Sequence, residues 1–490
     1  MDLNHELKKH FGYSSFRKGQ EEIIQSVLDG QDTLAVLPTG TGKSICYQLS
    51  GYLMTGSVLV ISPLLSLMQD QVEQMKASGE KHVVAINSFL SFEEKRRAIS
   101  YLHSYKFIYI SPEMLTNEEI LSKLKEMSIA LFVIDEAHCI SQWGPDFRPD
   151  YLKLGRVRKT LNSPVTLALS ATATEKVRQD IVMTLDIEKA AERISSVDRP
   201  NIGIIVEKVE TYDAKVDRLK SLISELEKPG IVYFSSKKVA DEMARLLNER
   251  DGIQASSYHA GLDQEQRILI QQQFLINQLN VICATSAFGM GINKEDVRFV
   301  IHFHFPSSIE SYLQEIGRAG RDGQNSIALL LYLAGDEQLP QRLIELEYLS
   351  KEQIYAYMEE SSYSLNQKAQ LLGLSEIHQR LLKYYESELK IGNTDDFDLK
   401  SFSQNVEDVM RDRFKQKQDD LSYVIQWAHG QSCRRESILT YFGENLRSNV
   451  NPCCDVCGVD LSLYFRSGMN PPHQPLPGWS ELLQNLLKSR

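Results

Sequence analysis

The stretch LAVLPTGTGKS, residues 34–44, runs from an apolar segment into a helical one through a turn that holds two glycines and a Lys-Ser pair. Strand, glycine-rich turn and helix in that order make a phosphate cradle. Backbone N–H groups from Gly40 to Ser44, in a turn shared with Thr39 and Thr41, can wrap an anion at a helix N-terminus. Lys43 is placed to reach the β- and γ-phosphates, and the Ser44 hydroxyl to bind magnesium. One position departs from the strict pattern: Leu37 stands where glycine is usual.

Around this loop, from Asp32 to Phe305, short apolar runs alternate with helical periodicity: DTLAVL, SVLVIS, FIYIS, ALFVID, VTLALS, GIVYF, NVICAT and FVIHF. Buried strands alternating with helices imply parallel sheets. Eight such runs exceed one comfortable core, and AERISSVDRPNI (191–202) breaks the rhythm, so two α/β lobes are expected with a boundary near Ser195 to Asn201. After Asp336 only helical periodicity continues, through Trp427. Within it, SLNQKAQLLGLSEIHQRLLKYY (364–385) sets Ala369, Leu371, Leu372 and Leu374 around a turn at Gly373, which suits either a helix-turn-helix or a plain helical spacer. The tail GMNPPHQPLPGWSELLQNLLKSR (468–490) reads as a Pro-rich linker and a short amphipathic helix.

The chain has 490 residues, 42% hydrophobic and 24% charged, which excludes disordered and collagenous classes. Its net charge of -11 means that any nucleic acid must be held by local basic patches rather than by bulk attraction. The N-terminus carries neither a signal peptide nor an anchor, and no apolar run is long enough to span a bilayer. Seven cysteines do not form the even framework of a secreted disulfide protein, so a cytoplasmic location is expected, nucleoid-associated if the source is bacterial.

FVIDEAHC (132–139) supplies the second part of a hydrolytic site: apolar residues of strand character ending in adjacent carboxylates. Asp135 would hold magnesium through water, and Glu136 would polarise the attacking water. Cradle, metal and positioned water are the parts that nucleoside-triphosphate hydrolysis needs. The cation for the transition state comes from YLQEIGRAGRDG (312–323), where Arg318 and Arg321 are spaced to share one helix face. They belong to the second lobe, so the site would be complete only when the lobes close.

Nine stretches in order, FGYSSFRKGQ, LPTGTGKS, VISPLLSLMQDQ, YISPEML, DEAHCISQWGPDFRP, LSATAT, SYHAGL, ATSAFGMGINKEDVR and QEIGRAGRDG, resemble the motifs of RecQ-type DNA helicases over roughly residues 7 to 335. The resemblance implies two RecA-like lobes followed by a helical and small zinc-binding region. The divisions expected are 1–197 and 198–338 for the lobes, 339–404 for a helical insertion, 405–462 for a platform with cysteines, and 463–490 for the linker and terminal helix. It also implies that Tyr13, Arg17 and Gln20 recognise adenine, and that His138, Ser170 and Thr172 couple hydrolysis to lobe movement. SQWGPDFRPDY (141–151) resembles the aromatic-rich loop that senses single-stranded DNA, with Trp143 and Phe147 as stacking faces and Arg148 as a phosphate-pairing cation. Further strand-tracking candidates are Ser62, Ser66, Arg199, Asn201, Ser235, Ser236, His259 and Thr285.

Cys433 opens CRRESILTYFGE (433–444), and Cys453, Cys454 and Cys457 follow, giving four thiols for one tetrahedral zinc. Adjacent residues rarely both point at one metal, so the fourth ligand stays open between Cys453, a group such as Asp455, and no metal at all. The chain after Cys457 is too short for the winged-helix and helicase-and-RNase-D C-terminal domains of many relatives, and the segment Gln367 to Tyr385 is expected to replace part of their duplex contact. The resulting expectation is an ATP- and magnesium-dependent, zinc-binding 3′–5′ DNA helicase acting on single-stranded and forked DNA in repair or recombination. It would work as a monomer, with a single-stranded-DNA-binding protein or repair proteins as partners. Two alternatives stay open, an RNA helicase and a DNA-binding protein with a vestigial nucleotide site.

Overall fold

The structure is a computed structural model that describes residues 1–87, 90–141, 148–288, 294–359, 367, 370–392, 399–446 and 453–466. Two parallel sheets form its centre. The first holds β1 (Thr33–Val36), β2 (Ser57–Ile61), β3 (Val83–Ile86), β4 (Phe107–Ile110), β5 (Ile129–Ile134), β6 (Val165–Ser170) and β7 (Ala191–Ile194), in the order β3-β4-β2-β5-β6-β1-β7. The second holds β8 (Ile202–Val209), β9 (Gly230–Tyr233), β10 (Ala255–Tyr258), β11 (Val281–Ala284), β12 (Phe299–His302) and β13 (Ser326–Leu333), in the order β10-β11-β9-β12-β13-β8. All eight expected runs are strands, and five more complete the sheets. The interior strands β1, β2, β4, β9, β11 and β12 are buried along their whole length because helices cover both faces, which is why they read as unbroken apolar runs.

Strand order decides what meets what at the carboxyl ends, where open α/β sheets place their ligand sites. β6 lies between β1 and β5, with Val36 beside Ser170 and Ala168 beside Ile134. The turn after β6 therefore sits between the phosphate loop after β1 and the carboxylates after β5. Leu37 explains its own departure from the glycine pattern: it is buried, and its N–H donates to the Ser170 carbonyl, so strand pairing runs one residue further before the loop opens at Pro38.

The 31-residue helix Leu399–His429 links the remaining parts. Its C-terminal half buries Leu421, Val424 and Trp427 in the core of the second lobe, and its N-terminal half packs Phe402, Val406 and Met410 against Leu349, Ile354, Leu381 and Leu382. Leu152 of the first lobe joins that small cluster. The expected turn is present at Gly373, whose φ of +64° favours glycine, and the helix Glu376–Gly392 follows it. Ala369 and the tail from residue 467 lie outside the described residues. Among the described residues no helix is long and apolar enough to cross a membrane.

Candidate active site

The phosphate loop leaves β1 and turns through Gly40 (φ +88°) and Gly42 (φ +76°) into the helix Lys43–Leu53. Thr41 closes the turn by donating its hydroxyl to the Pro38 carbonyl at 2.7 Å. The loop is braced by the residues expected to read adenine. Gln20, 1% exposed, donates its amide to the carbonyls of Thr41 (2.8 Å) and Gly42 (3.0 Å), while its own carbonyl accepts the Arg17 N–H. Arg17 donates to the Gly40 carbonyl and lies 3.6 Å from Glu295 of the second lobe. Tyr13 is exposed at the rim of the same cleft, which has a volume of about 720 Å³.

At the end of β5 the backbone takes an uncommon course. Glu136 has φ +49°, a left-handed conformation that costs a non-glycine residue of order 1–3 kcal/mol and is found where a site demands it. The twist sends neighbouring carboxylates to different tasks. One oxygen of Glu136 is 3.8 Å from Lys43 Nζ; the other is buried without a hydrogen-bond donor, 3.5 Å from His138 Nδ1. His138 Nδ1 also lies 3.0 Å from Ser170 Oγ. Because the Ser170 hydroxyl donates to the Thr172 carbonyl at 2.7 Å, its oxygen is left to accept, which puts the imidazole proton on Nδ1. Lys43, Glu136, His138, Ser170 and Thr172 thus form one continuous polar chain across three adjacent strand ends.

Asp135 is buried, and that burial, with Glu136 beside it, pushes its carboxyl above the usual range. A divalent cation between Asp135 and Ser44 would reverse this by holding the carboxylate ionised, so the pair fits magnesium.

From the second lobe, Arg318 and Arg321 both line the cleft. They do not share a helix face, as their spacing had suggested. The helix Ile309–Ile316 ends at Gly317, and both arginines stand on the turn beyond it, which Gly320 bends with φ +56°. Arg321 lies across the phosphate loop so closely that a Cβ on Gly40 would fall 2.7 Å from its Cγ. Burial, then repulsion from Arg318 and Arg199, push the Arg321 guanidinium down to about 9, still protonated at neutral pH. A polyphosphate would relieve that crowding. Gln314 and Glu295 also line the cleft and were not singled out in the sequence, since neither has a motif of its own chemistry.

The four C-terminal thiols converge. Cys433, Cys453, Cys454 and Cys457 have all their sulfurs within 4.8 Å of one another. Sulfurs at 3.5 Å (Cys433 to Cys453) and 3.9 Å (Cys454 to Cys433) bracket the edge of about 3.8 Å expected for tetrahedral zinc thiolate. Adjacent Cys453 and Cys454 thus both face the cluster, contrary to the expectation from their spacing. Asp455 is no ligand candidate, because Arg434 takes it at 3.1 Å. Backbone pairing explains how the neighbours manage this. Cys453 accepts the Ile204 N–H and Asp455 donates to the Ile204 carbonyl, fixing the pair along the outer edge of β8.

Residues 17–181 match the model of DEAD/DEAH box helicases, 214–323 that of the helicase conserved C-terminal domain, and 395–458 that of RecQ zinc-binding. The probable ATP-dependent DNA helicase RecS of Bacillus subtilis is 44% identical over 99% of this chain and 97% of its own length. The chain belongs to the RecQ family. The ATP-dependent DNA helicase RecQ of Haemophilus influenzae is 37% identical over 92% of this chain, which spans 62% of that relative. Among solved structures, the helicase Lhr of Mycobacterium smegmatis, bound to single-stranded DNA and AMP-PNP, has the same fold, with a TM-score of 0.58 at 18% identity over 87% of this chain and 57% of its own.

The strand-tracking candidates of this RecQ chain separate into two groups. Ser235, His259 and Thr285 follow β9, β10 and β11, neighbours in the second sheet, and so share its carboxyl edge. Ser236 caps the helix Lys237–Asn248, and Ser62 is buried after β2. Arg199 and Asn201 are elsewhere: their donors are engaged by backbone carbonyls at the arginine turn, not presented to a strand. Arg148 reaches toward Glu113 at 4.0 Å, and Arg380 of the insertion approaches the same carboxylate at 3.4 Å. Trp143, Phe147 and the side chain of Ser66 lie outside the described residues.

Two substitutions test these geometries. Lys43→Ala is expected to lower ATP hydrolysis by at least about 10²-fold while the thermal melting curve stays close to wild type, because apart from the phosphate contact only the 3.8 Å pairing with Glu136 is removed. Cys453→Ser is expected to lower the zinc content of purified protein well below one ion per chain; full retention of zinc would remove Cys453 from the ligand set.

Proposed function

We propose that the chain is an ATP- and magnesium-dependent DNA helicase that translocates 3′ to 5′ along single-stranded DNA and opens duplexes during repair or recombination. The observation that carries this reading is that the phosphate cleft is built from both lobes. Lys43, Ser44, Asp135 and Glu136 come from one, Arg318 and Arg321 from the other. Magnesium held by Ser44 and Asp135 would neutralise phosphate charge. Glu136, with its unpaired oxygen, orients and deprotonates water; Lys43 binds the phosphates; Arg318 and Arg321 stabilise the charge that develops. Loss of the phosphate weakens the attraction between the arginine turn and the loop, so each turnover loosens the cleft and shifts the grip on the strand.

The chain from Glu136 through His138 to Ser170 and Thr172 is the coupling route in this reading. Trp143, Phe147 and Arg148, with Ser66 and Ser235, form the strand path. The helical insertion adds duplex contact, a role supported by its place beside Arg148. The units are 1–197, 198–338, 339–404, 405–462 and 463–490. The protein acts as a cytoplasmic monomer with single-stranded-DNA-binding or repair proteins as partners, and zinc on the four cysteines holds the last unit together.

Steady-state ATP hydrolysis measured without nucleic acid, with single-stranded DNA and with RNA of equal length tests the reading. Strong stimulation by DNA and little by RNA is expected. Equal stimulation by RNA would favour an RNA helicase, and no hydrolysis at all would leave a binding protein.

A further inference from the structure

Arg199 occupies the segment that joins the two sheets, and both terminal nitrogens of its guanidinium donate to backbone carbonyls. Nη1 donates to Thr39 of the phosphate loop at 3.2 Å and to Gly317 at 3.1 Å; Nη2 donates to Ala319 at 3.0 Å and Gly320 at 2.7 Å. One rigid fork therefore spans the cleft from the loop that holds phosphate to the turn that carries Arg318 and Arg321. Asn201 secures the far side of the same turn through the carbonyls of Gly320 (2.8 Å) and Gln324 (2.9 Å). The fit is tight: a Cβ on Gly320 would lie 2.4 Å from the Asn201 amide nitrogen.

This fork is aimed from behind by the cysteine element. Arg435, 3% exposed on the helix Arg434–Tyr441, donates to the Asp198 carboxylate, to the Arg199 carbonyl at 3.0 Å and to the Ile202 carbonyl. Glu444, just past that helix, accepts the Val197 N–H at 2.9 Å. The preceding residue, Arg434, pairs with Asp455 and donates its N–H to Cys454 Sγ at 3.4 Å. Hydrogen bonds, with the peptide bond between Arg434 and Arg435, thus connect the sulfur cluster to Arg199 and on to both halves of the phosphate cleft.

We propose that Arg199 is a positioning residue for ATP hydrolysis, a clamp that sets the arginine turn against the phosphate loop, with its aim fixed by Arg435. The cysteine element is then mechanically part of the hydrolytic site. The proposal rests on the reading of the chain as an ATP-driven DNA motor.

The test uses the full chain and three readouts: DNA-stimulated kcat, affinity for a fluorescent non-hydrolysable ATP analogue, and single-stranded DNA affinity as a function of salt. Arg199→Ala is expected to lower kcat by about 10²-fold, the scale of a 1 Å misplacement, with both affinities within about twofold of wild type. Arg199→Lys keeps charge and bulk and serves if the alanine variant does not fold; it too is expected to lose kcat, since one ammonium cannot span these carbonyls. Arg435→Lys is expected to lower kcat in the same direction, and the double variant to be no slower than Arg199→Ala alone. Weaker DNA binding, a salt slope reduced by about one and normal kcat at saturating DNA would make Arg199 a strand contact and overturn the clamp. Fully additive losses in the double variant would overturn the link to the cysteine helix. A wild-type chain that hydrolyses no ATP on DNA would overturn the functional reading itself.

Discussion

The constraint on which the rest of this molecule depends is the approach of one backbone turn to another across the two lobes. The turn Gly317–Arg321 lies on the phosphate loop, and it can do so because glycine stands at the contact points. Arg321 fills the space that a Cβ on Gly40 would take, and Asn201 fills that beside Gly320. The guanidiniums of Arg17, Arg199, Arg318 and Arg321 gather there, and Lys43 lines the same cleft, at a cost in desolvation and repulsion that shows in the depressed Arg321 group. A polyphosphate is the ligand class that such a cluster is built to receive. Closure therefore brings the second lobe's cations to the phosphate that the first lobe would hold.

Strand order turns that event into a signal. With β6 between β1 and β5, the Ser170–Thr172 turn has no position open to it except between the phosphate loop and the carboxylates. His138 bridges Glu136 and Ser170 with a proton whose place is fixed by the Thr172 carbonyl. In the proposed cycle, a shift of Glu136 on loss of phosphate would be passed to β6 and to the segment that follows His138, the aromatic-rich stretch expected to meet DNA. The long helix Leu399–His429 ties both ends of the system, since Leu152 of the first lobe and Trp427 of the second pack on its two halves.

Much of this was legible in the sequence, and the gaps have physical causes. The eight strands that were read are those whose faces are both covered, where burial writes an apolar run. Four of the five that were missed, β3, β7, β8 and β10, are the outer strands of the two sheets, where no further strand of the sheet lies on one side and residues such as Glu192 and Ser256 are tolerated. The fifth, β13 with SIALLLYL, is interior, but its leucines suit a helix equally well. Site residues carried by motif chemistry, Lys43, Asp135, Glu136, Arg318 and Arg321, meet in one cleft. The roles of Arg199 and Asn201 were not legible, because a backbone carbonyl leaves no mark on the sequence as a partner. For the same reason the spacing of Cys453 and Cys454 argued against joint ligation, while their pairing to Ile204 turns both thiols inward.

In the proposed cycle, hydrolysis requires the second lobe's arginine turn while nucleotide binding is chiefly the work of the first lobe. Arg321→Ala, followed by single-turnover hydrolysis on single-stranded DNA alongside ATP-analogue affinity, addresses it most directly. The account predicts a hydrolysis rate lower by about 10³-fold or more with analogue affinity changed far less, as for removal of an arginine that acts on transition-state charge. Hydrolysis at the wild-type rate, or a loss of affinity as large as the loss of rate, would contradict it.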